Sequence, residues 1–241
     1  MLFKEVPMKK SIFILLISLF AYQAQSQVLI SLLLGDKLNS DKVEFGLEGG
    51  ANFSHIYSLQ STKYIPNYNL GFYFDIQIKK SWRLYTGVLV KSTLGTNHLS
   101  ASDLAQLHAT TYNATGDYSQ KINYFLVPVL AKYQFKNRIY LEAGPQAGLM
   151  SKAWIEFNSD SSNTNAKIKE KNTDNIHRID FGFVGGFGYK FQKTQGVTIG
   201  IKYYYGLTDV YKDISSSNNS SLFIKLNIPI GAGKKKTAIA E

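Results

Sequence analysis

The chain has 241 residues, 27 Lys and Arg against 17 Asp and Glu, a formal net charge of +10 and no cysteine. That length suits a single domain, and the lack of cysteine excludes disulfide stapling, thiol catalysis and lipidation at a mature N-terminal Cys. The basic residues form neither a groove-facing helix nor an aromatic-interleaved patch, so the positive excess does not point to nucleic acid.

In chain order, the first predicted element is an export signal over residues 1–26. Lys9 and Lys10 make a basic n-region, Ile12–Phe20 an apolar h-region too short to span a bilayer as a helix, and Ala24-Gln25-Ser26 a small-residue cleavage site. Met8 offers an alternative start, with residues 1–7 as an upstream extension. Removing Lys4, Glu5, Lys9 and Lys10 with the signal takes away three positive charges and one negative, which leaves +8 from +10. Residues 27–42 read as a periplasmic lead-in; within them Val28–Leu34 is either an interfacial helix or a segment packed at the barrel mouth.

Eight segments with a period of two follow, the signature of strands. In Val43–Ser54, Val43, Phe45, Leu47, Ala51 and Phe53 oppose Glu44, Glu48, Asn52 and Ser54. Tyr68–Lys79 sets Leu70, Phe72, Phe74, Ile76 and Ile78 against Asn69, Tyr73, Asp75, Gln77 and Lys79. Trp82–Leu94, Ile122–Phe135, Arg138–Met150, Ile179–Phe191, Val197–Leu207 and Leu222–Ile230 complete the set. The alternation is weakest in Ile122–Phe135, where Leu126, Pro128 and Leu130 share the face of Lys132. One face of each segment carries no charge. The other collects Glu44, Glu48, Asp75, Lys79, Arg83, Lys91, Lys132, Glu142, Asp180, Lys190, Lys202 and Lys225.

Alternation alone also fits a soluble barrel with its charged face in water. Three features favour the opposite arrangement, with the apolar face in lipid. Most segments reach the about 9–11 residues that a tilted transmembrane strand needs. Aromatics on the apolar face form two bands, Trp82, Tyr133, Phe135, Tyr189 and Phe191 beside one set of connections and Phe53, Phe72, Phe125, Phe181 and Tyr205 toward the other, as interfacial girdles do. Connections alternate between short (Lys80–Ser81, Lys136–Asn137, Gln192–Gly196) and long (His55–Asn67, Gly95–Lys121, Ser151–Arg178, Thr208–Ser221), the pattern of periplasmic turns and extracellular loops.

The predicted fold is therefore all-β: an eight-stranded antiparallel transmembrane up-and-down barrel over 43–230, in the outer membrane of a Gram-negative cell, with a basic tail at 231–241. In lipid an open edge would leave backbone groups unsatisfied, so the sheet has to close. Eight strands leave an interior that side chains fill. The lumen charges are then expected to pair with one another, and inward glycines to make room for Tyr73, Tyr85, Tyr124, Tyr140 and Tyr204. The long loops, rich in Ser, Asn, Thr and Lys, are expected to be mobile recognition surfaces.

Four stretches, Phe45–Ser54, Tyr140–Gly148, Asp180–Tyr189 and Tyr203–Thr208, resemble in order the PorT family of outer-membrane β-barrels from Bacteroidota, and the likeness spans nearly all of Val43–Ile230. The resemblance implies an integral outer-membrane barrel, with founding members linked to type IX secretion of cargo proteins, and it does not imply an active site. The chain departs from the usual barrel pattern in closing on Ile228-Pro229-Ile230 and a tail, without a terminal aromatic.

Motifs that carry chemistry are weak. Gly231–Thr237 imitates a phosphate loop, but Ile228 stands where the first glycine is required. His55, His98, His108 and His177 fall in expected loops without metal-ligand spacing, and Asp160–Asn165 lacks the ligand pattern of a calcium loop. A rim enzyme would draw on His98, His108 or His177 with Asp103, Asp117 or Asp180, but no spacing selects a set. The expectation is a non-enzyme without cofactor or metal, a monomeric barrel that contacts outer-membrane lipid and envelope or secretion-machinery proteins; a small passive conduit is the competing reading.

Overall fold

The computed structural model describes residues 38–159, 166–192 and 196–230. The expected signal, the Val28–Leu34 run, the Asp160–Asn165 stretch and the basic tail lie outside the described residues. Nine strands are present among those described: β1 (Val43–Ile56), β2 (Ile65–Lys79), β3 (Trp82–Thr96), β4 (Gly116–Gln134), β5 (Ile139–Ser159), β6 (Lys167–Lys171), β7 (Ile179–Lys190), β8 (Thr198–Asp209) and β9 (Asn218–Pro229). Eight of them close into an antiparallel ring, β1-β2-β3-β4-β5-β7-β8-β9, sealed by pairing of β1 with β9. β6 stands outside the ring, folded as a flap on the outer end of β5.

Side-chain volume explains how so narrow a ring is filled. Bulky inward residues sit opposite glycines on the neighbouring strands: Tyr73 lies between Gly46 and Gly87, Lys225 between Gly50 and Gly200, Tyr140 opposite Gly188 and Lys202 opposite Gly186. At Gly200 a Cβ would collide with the Tyr140 hydroxyl, so the ring packs only because that position lacks a side chain. The short β4–β5 turn is closed by Arg138 in the left-handed region (φ 73°), where its guanidinium reaches the Phe191 carbonyl at 2.9 Å and lies 5.1 Å from the Tyr189 ring centroid.

The structure corrects two residues expected on the charged inner face, Lys91 and Lys79. The register of β3 slips between Leu89 and Ser92 against β4, and that of β2 slips beside it between Leu70 and Gly71. An extra residue in one strand turns every later side chain to the other face. Leu89, before the slip, stays inside with Tyr85, and Ser92 and Leu94 turn inside after it, while Lys91 is exposed on the outer surface with its ammonium 4.5 Å from the centroid of the Tyr68 ring. Lys79, at the β2–β3 turn, is exposed as well.

Strands run further outward than the alternation suggested. β4 has 19 residues and β5 has 21, about twice what a bilayer crossing needs. Beyond the apolar stripe, pairing continues because Ile122, Ala153, Ile155 and Phe157 bury against the loops. The loops shrink accordingly, and one holds a helix that periodicity did not signal: α1 (Ala101–Gln106), started by a capping box between Ser100 and Asp103.

Candidate functional site

The lower lumen is a lattice of paired charges. Lys190 Nζ lies 2.7 Å from Glu44 Oε2, Lys202 Nζ 2.8 Å from Glu48 Oε1, Lys225 Nζ 2.6 Å from Glu142 Oε1, and Lys132 Nζ 2.7 Å from Asp75 Oδ2. Arg83 pairs with the other oxygen of Asp75 and donates to its carbonyl at 3.1 Å. Tyrosines tie the pairs together: Tyr73 donates to Glu44 at 2.9 Å, and Tyr85 donates to Glu48 while accepting from Asn227 at 2.9 Å. Lys132 and Lys225 lie over the Tyr140 and Tyr85 rings at 4.0 and 3.9 Å. Asp180 has no cation; it accepts from Thr208 at 3.0 Å and Asn219 at 3.0 Å.

With Lys91 outside, Arg83 and four lysines face five carboxylates, so the lumen is formally neutral and offers no preference for either sign of ion. Lys202 and Tyr85 are 0% exposed and Lys225 2%, which leaves no water-filled passage beside them. The arrangement resembles a buried core more than a pore.

Above this lattice the described parts of the outer loops fold inward and close the mouth. Leu59, Leu99, Leu104, Leu107, Val210 and Ile214 from the loops join Ile56, Leu94, Ile122 and Ile155 from the strand ends in one buried apolar cluster. Asp103 ties two loops, accepting from Gln60 N at 2.7 Å, Ser61 N at 3.1 Å and Ser100 N at 2.8 Å. Ser58 donates to the Ser216 carbonyl at 2.8 Å, and Gln120 and Asn172 exchange amide hydrogen bonds beneath. The loops expected to be mobile thus build a lid: loop 97–115 spends its apolar residues on the mouth, and residues 57–64 and 210–217 are stitched to one another.

The histidines do not converge. His55 belongs to β1, is buried, and its Nε2 lies 2.7 Å from the Ser61 carbonyl. His98 Nδ1 lies 2.8 Å from Asp117, both side chains about half exposed (46% and 47%). Asp103 is consumed by capping and Asp180 by the lumen. Among the described residues no group of three His, Cys, Asp or Glu is placed to hold a metal ion.

On the outer surface, Trp82, Tyr133 and Phe135 pack edge to face in sequence at 5.0 and 4.9 Å, and Tyr189 packs edge to face on Phe191 at 5.5 Å, beside the short turns. Phe53, Phe125, Phe181 and Tyr205 are exposed toward the other end. Phe72 is different: it sits at the midpoint of β2, stacked on Phe45 at 6.0 Å, within the apolar belt and not at its rim. Between the bands Leu141, Phe187, Ile201 and Leu226 are 40–56% exposed, a belt far larger than the apolar patches that water tolerates on a monomer.

The family model described as "Outer membrane protein beta-barrel domain" matches residues 23–212. Among solved structures, Ail, the attachment invasion locus protein of Yersinia pestis, crystallised with the heparin analogue sucrose octasulfate, is 11% identical with a TM-score of 0.44, covering 78% of this chain and 99% of Ail. Neisserial surface protein A is 11% identical, TM-score 0.39, covering 76% and 96%, and OprG from Pseudomonas aeruginosa is 11% identical, TM-score 0.33, covering 80% and 96%. No curated protein matches the chain in sequence.

Proposed function

The chain belongs to the outer membrane protein beta-barrel domain family, and on that footing we propose that it is a non-catalytic, non-conducting barrel that works by binding envelope partners on its outer surface. It resides in the outer membrane, with the apolar belt in the bilayer. The observation that carries the proposal is the double closure of the interior: ion pairs fill the lower lumen and the loop cluster covers the mouth. A barrel without a passage has only its exterior to offer. The shaped parts of that exterior are the loop lid and the β5–β6 flap.

The partners we propose are components of a type IX-like secretion machinery, on the likeness of Phe45–Ser54, Tyr140–Gly148, Asp180–Tyr189 and Tyr203–Thr208 to the PorT family. The half-exposed His98–Asp117 pair reads as a solvated surface contact and not as a catalytic dyad. Two measurements test the proposal. Crosslinking in native outer membranes should recover secretion-machinery proteins with the wild type and lose them when residues 160–172 are replaced by a short turn in a barrel that still folds. Planar-bilayer recording should show no stable conductance; channels whose selectivity changes in Glu48→Gln or Lys202→Gln would refute the closed interior.

A further inference from the structure

We propose that the outward face of β4, β5 and β6, just beyond the apolar belt, is a binding site for the phosphate groups of outer-leaflet lipid headgroups. Lys121 on β4, Lys152 on β5 and Lys167, Lys169 and Lys171 on β6 share this face with two acids, Glu156 and Asp117, a formal charge of +3 from five lysines and two carboxylates. Register stacks them: Asn123 pairs with Lys152, Lys121 and Lys171 both pair with Trp154, and Lys169 pairs with Glu156. The ladder starts at the edge of the belt. Phe125 and Leu149, 40% and 50% exposed, are the last outward apolar pair below it, and Lys152 follows Leu149 by about 10 Å of strand at roughly 3.3 Å per residue. Lysine stems lying along the wall bring their ammonium groups to headgroup depth.

The face is held rigid from both sides. Glu156 sits 2.6 Å from Lys121 Nζ, 3.0 Å from Lys167 Nζ and 3.8 Å from Lys169 Nζ, and the Trp154 indole donates to it at 3.2 Å. One carboxylate cannot neutralise three ammonium groups, so its effect is to fix their spacing. Behind the face, the half-exposed Ile168 pairs with Phe157, on which Tyr112 and Tyr118 pack, and Glu170 accepts from Thr110 N at 2.9 Å, which ties the flap to loop 97–115. Lys152 and Lys171 have no ion pair among the described residues and are exposed. The opposite rim presents Tyr57, Tyr64 and Tyr205 with two dispersed lysines, Lys63 and Lys91. A column of cations on one exposed wall, beginning where the belt ends, fits membrane-anchored phosphates better than a free anion, which would need enclosure. The inference rests on the reading that the long-loop end faces out of the cell.

The test is native mass spectrometry of the purified full-length barrel titrated with bisphosphorylated lipid A, with dephosphorylated lipid A, and with inorganic pyrophosphate as competitor. The wild type should hold the bisphosphorylated lipid at least tenfold tighter than the dephosphorylated one. At about a fivefold loss for each surface lysine, K152Q/K169Q/K171Q should bind about 100-fold more weakly, whereas K42Q/K79Q/K80Q, at the other end of the barrel, should match the wild type. K152Q and K171Q singly, at exposed unpaired positions, supply folded variants if the triple does not fold. Equal binding of the two lipids, no loss in the lysine variants, an equal loss in the far-end control, or displacement of the lipid by stoichiometric pyrophosphate would each overturn the proposal. Protease added to intact cells separates the underlying orientation: cleavage within 166–172 fails if that end is periplasmic, whatever the lipid titration gives.

Discussion

Replacing Lys202 with methionine isolates one ion pair at the centre of the lumen. The Lys202 side chain is 0% exposed and lies 2.8 Å from Glu48, where unit charges attract by about 6 kcal/mol at an effective dielectric constant of about 20. That gross attraction is largely offset by several kcal/mol of desolvation per ion. In Lys202→Met the attraction goes, while the carboxylate stays buried with the Tyr85 hydroxyl as its remaining hydrogen-bond donor. The expected loss is about 3–5 kcal/mol, the usual result of stranding one member of a buried pair. Removing both members reverses the balance: in Glu48→Leu/Lys202→Met, Tyr85 keeps its bond from Asn227, no charge is stranded, and stability should return to within about 1–2 kcal/mol of wild type. Urea unfolding in lipid vesicles, followed by the fluorescence of Trp82 and Trp154, measures both. A single variant that loses under about 1 kcal/mol, or a double variant worse than the single, would refute the pairing.

Other expectations follow from the same geometry. Phe74→Arg, on the outward face of β2, should cost about 2–4 kcal/mol in bilayer unfolding, whereas Arg at exposed loop residue 108 stays within about 0.5 kcal/mol. The Tyr140 hydroxyl is buried with no protein partner, so Tyr140→Phe should be neutral or stabilising, while Tyr85→Phe, which leaves Glu48 and Asn227 short of a partner, should cost about 1–3 kcal/mol by the same unfolding assay. Asp103→Ala leaves the Ser100 cap but removes the return half of the capping box of α1 and the anchor of residues 60 and 61, and should destabilise by about 1–2 kcal/mol with faster proteolysis of loop 97–115 and an intact barrel. Burial pushes the Glu156 carboxyl up, but hydrogen bonds from Lys121, Lys167 and Trp154 outweigh it and hold the pKa at about 2. Because the folded value is depressed, the stabilisation from this cluster is present above the ordinary carboxylate range, falls progressively as pH drops below it, and is gone below about 2. Carbon-13 titration should find that midpoint in the wild type and a higher one in K121Q/K167Q.

Where the period of two was clean, it assigned faces correctly. In β1, β7, β8 and β9, and in β2 up to Gln77, the apolar stripe and the charged stripe lie as the residues alternate. The structure explains Ile122–Phe135 as well: Leu126 and Leu130 are buried inside, so the face they share with Lys132 is the lumen face. Lys91 was misplaced because a bulge inserts a residue without changing composition, and Val90-Lys91-Ser92 gives no sign of it. The lid was hidden for a different reason. Leu59, Leu99, Leu104, Leu107, Val210 and Ile214 are scattered through polar loops, and no local period links residues that meet only in the folded molecule. α1 is too short to show a helical period, yet Ser100 three residues before Asp103 was a readable capping signal. The β5–β6 flap escaped because its lysine-rich second strand resembles a solvated loop.

The central claim is that lipid covers the outside while the charged residues are enclosed, and the absence of cysteine makes it directly measurable by single-site spin labelling. Labels at residues 141, 187, 201 and 226 in a reconstituted bilayer should collide with dissolved oxygen and stay shielded from a water-soluble nickel chelate; labels at 142, 186, 202 and 225 should be shielded from both. Nickel access at the first set, or oxygen access at the second equal to that at the first, would contradict the account.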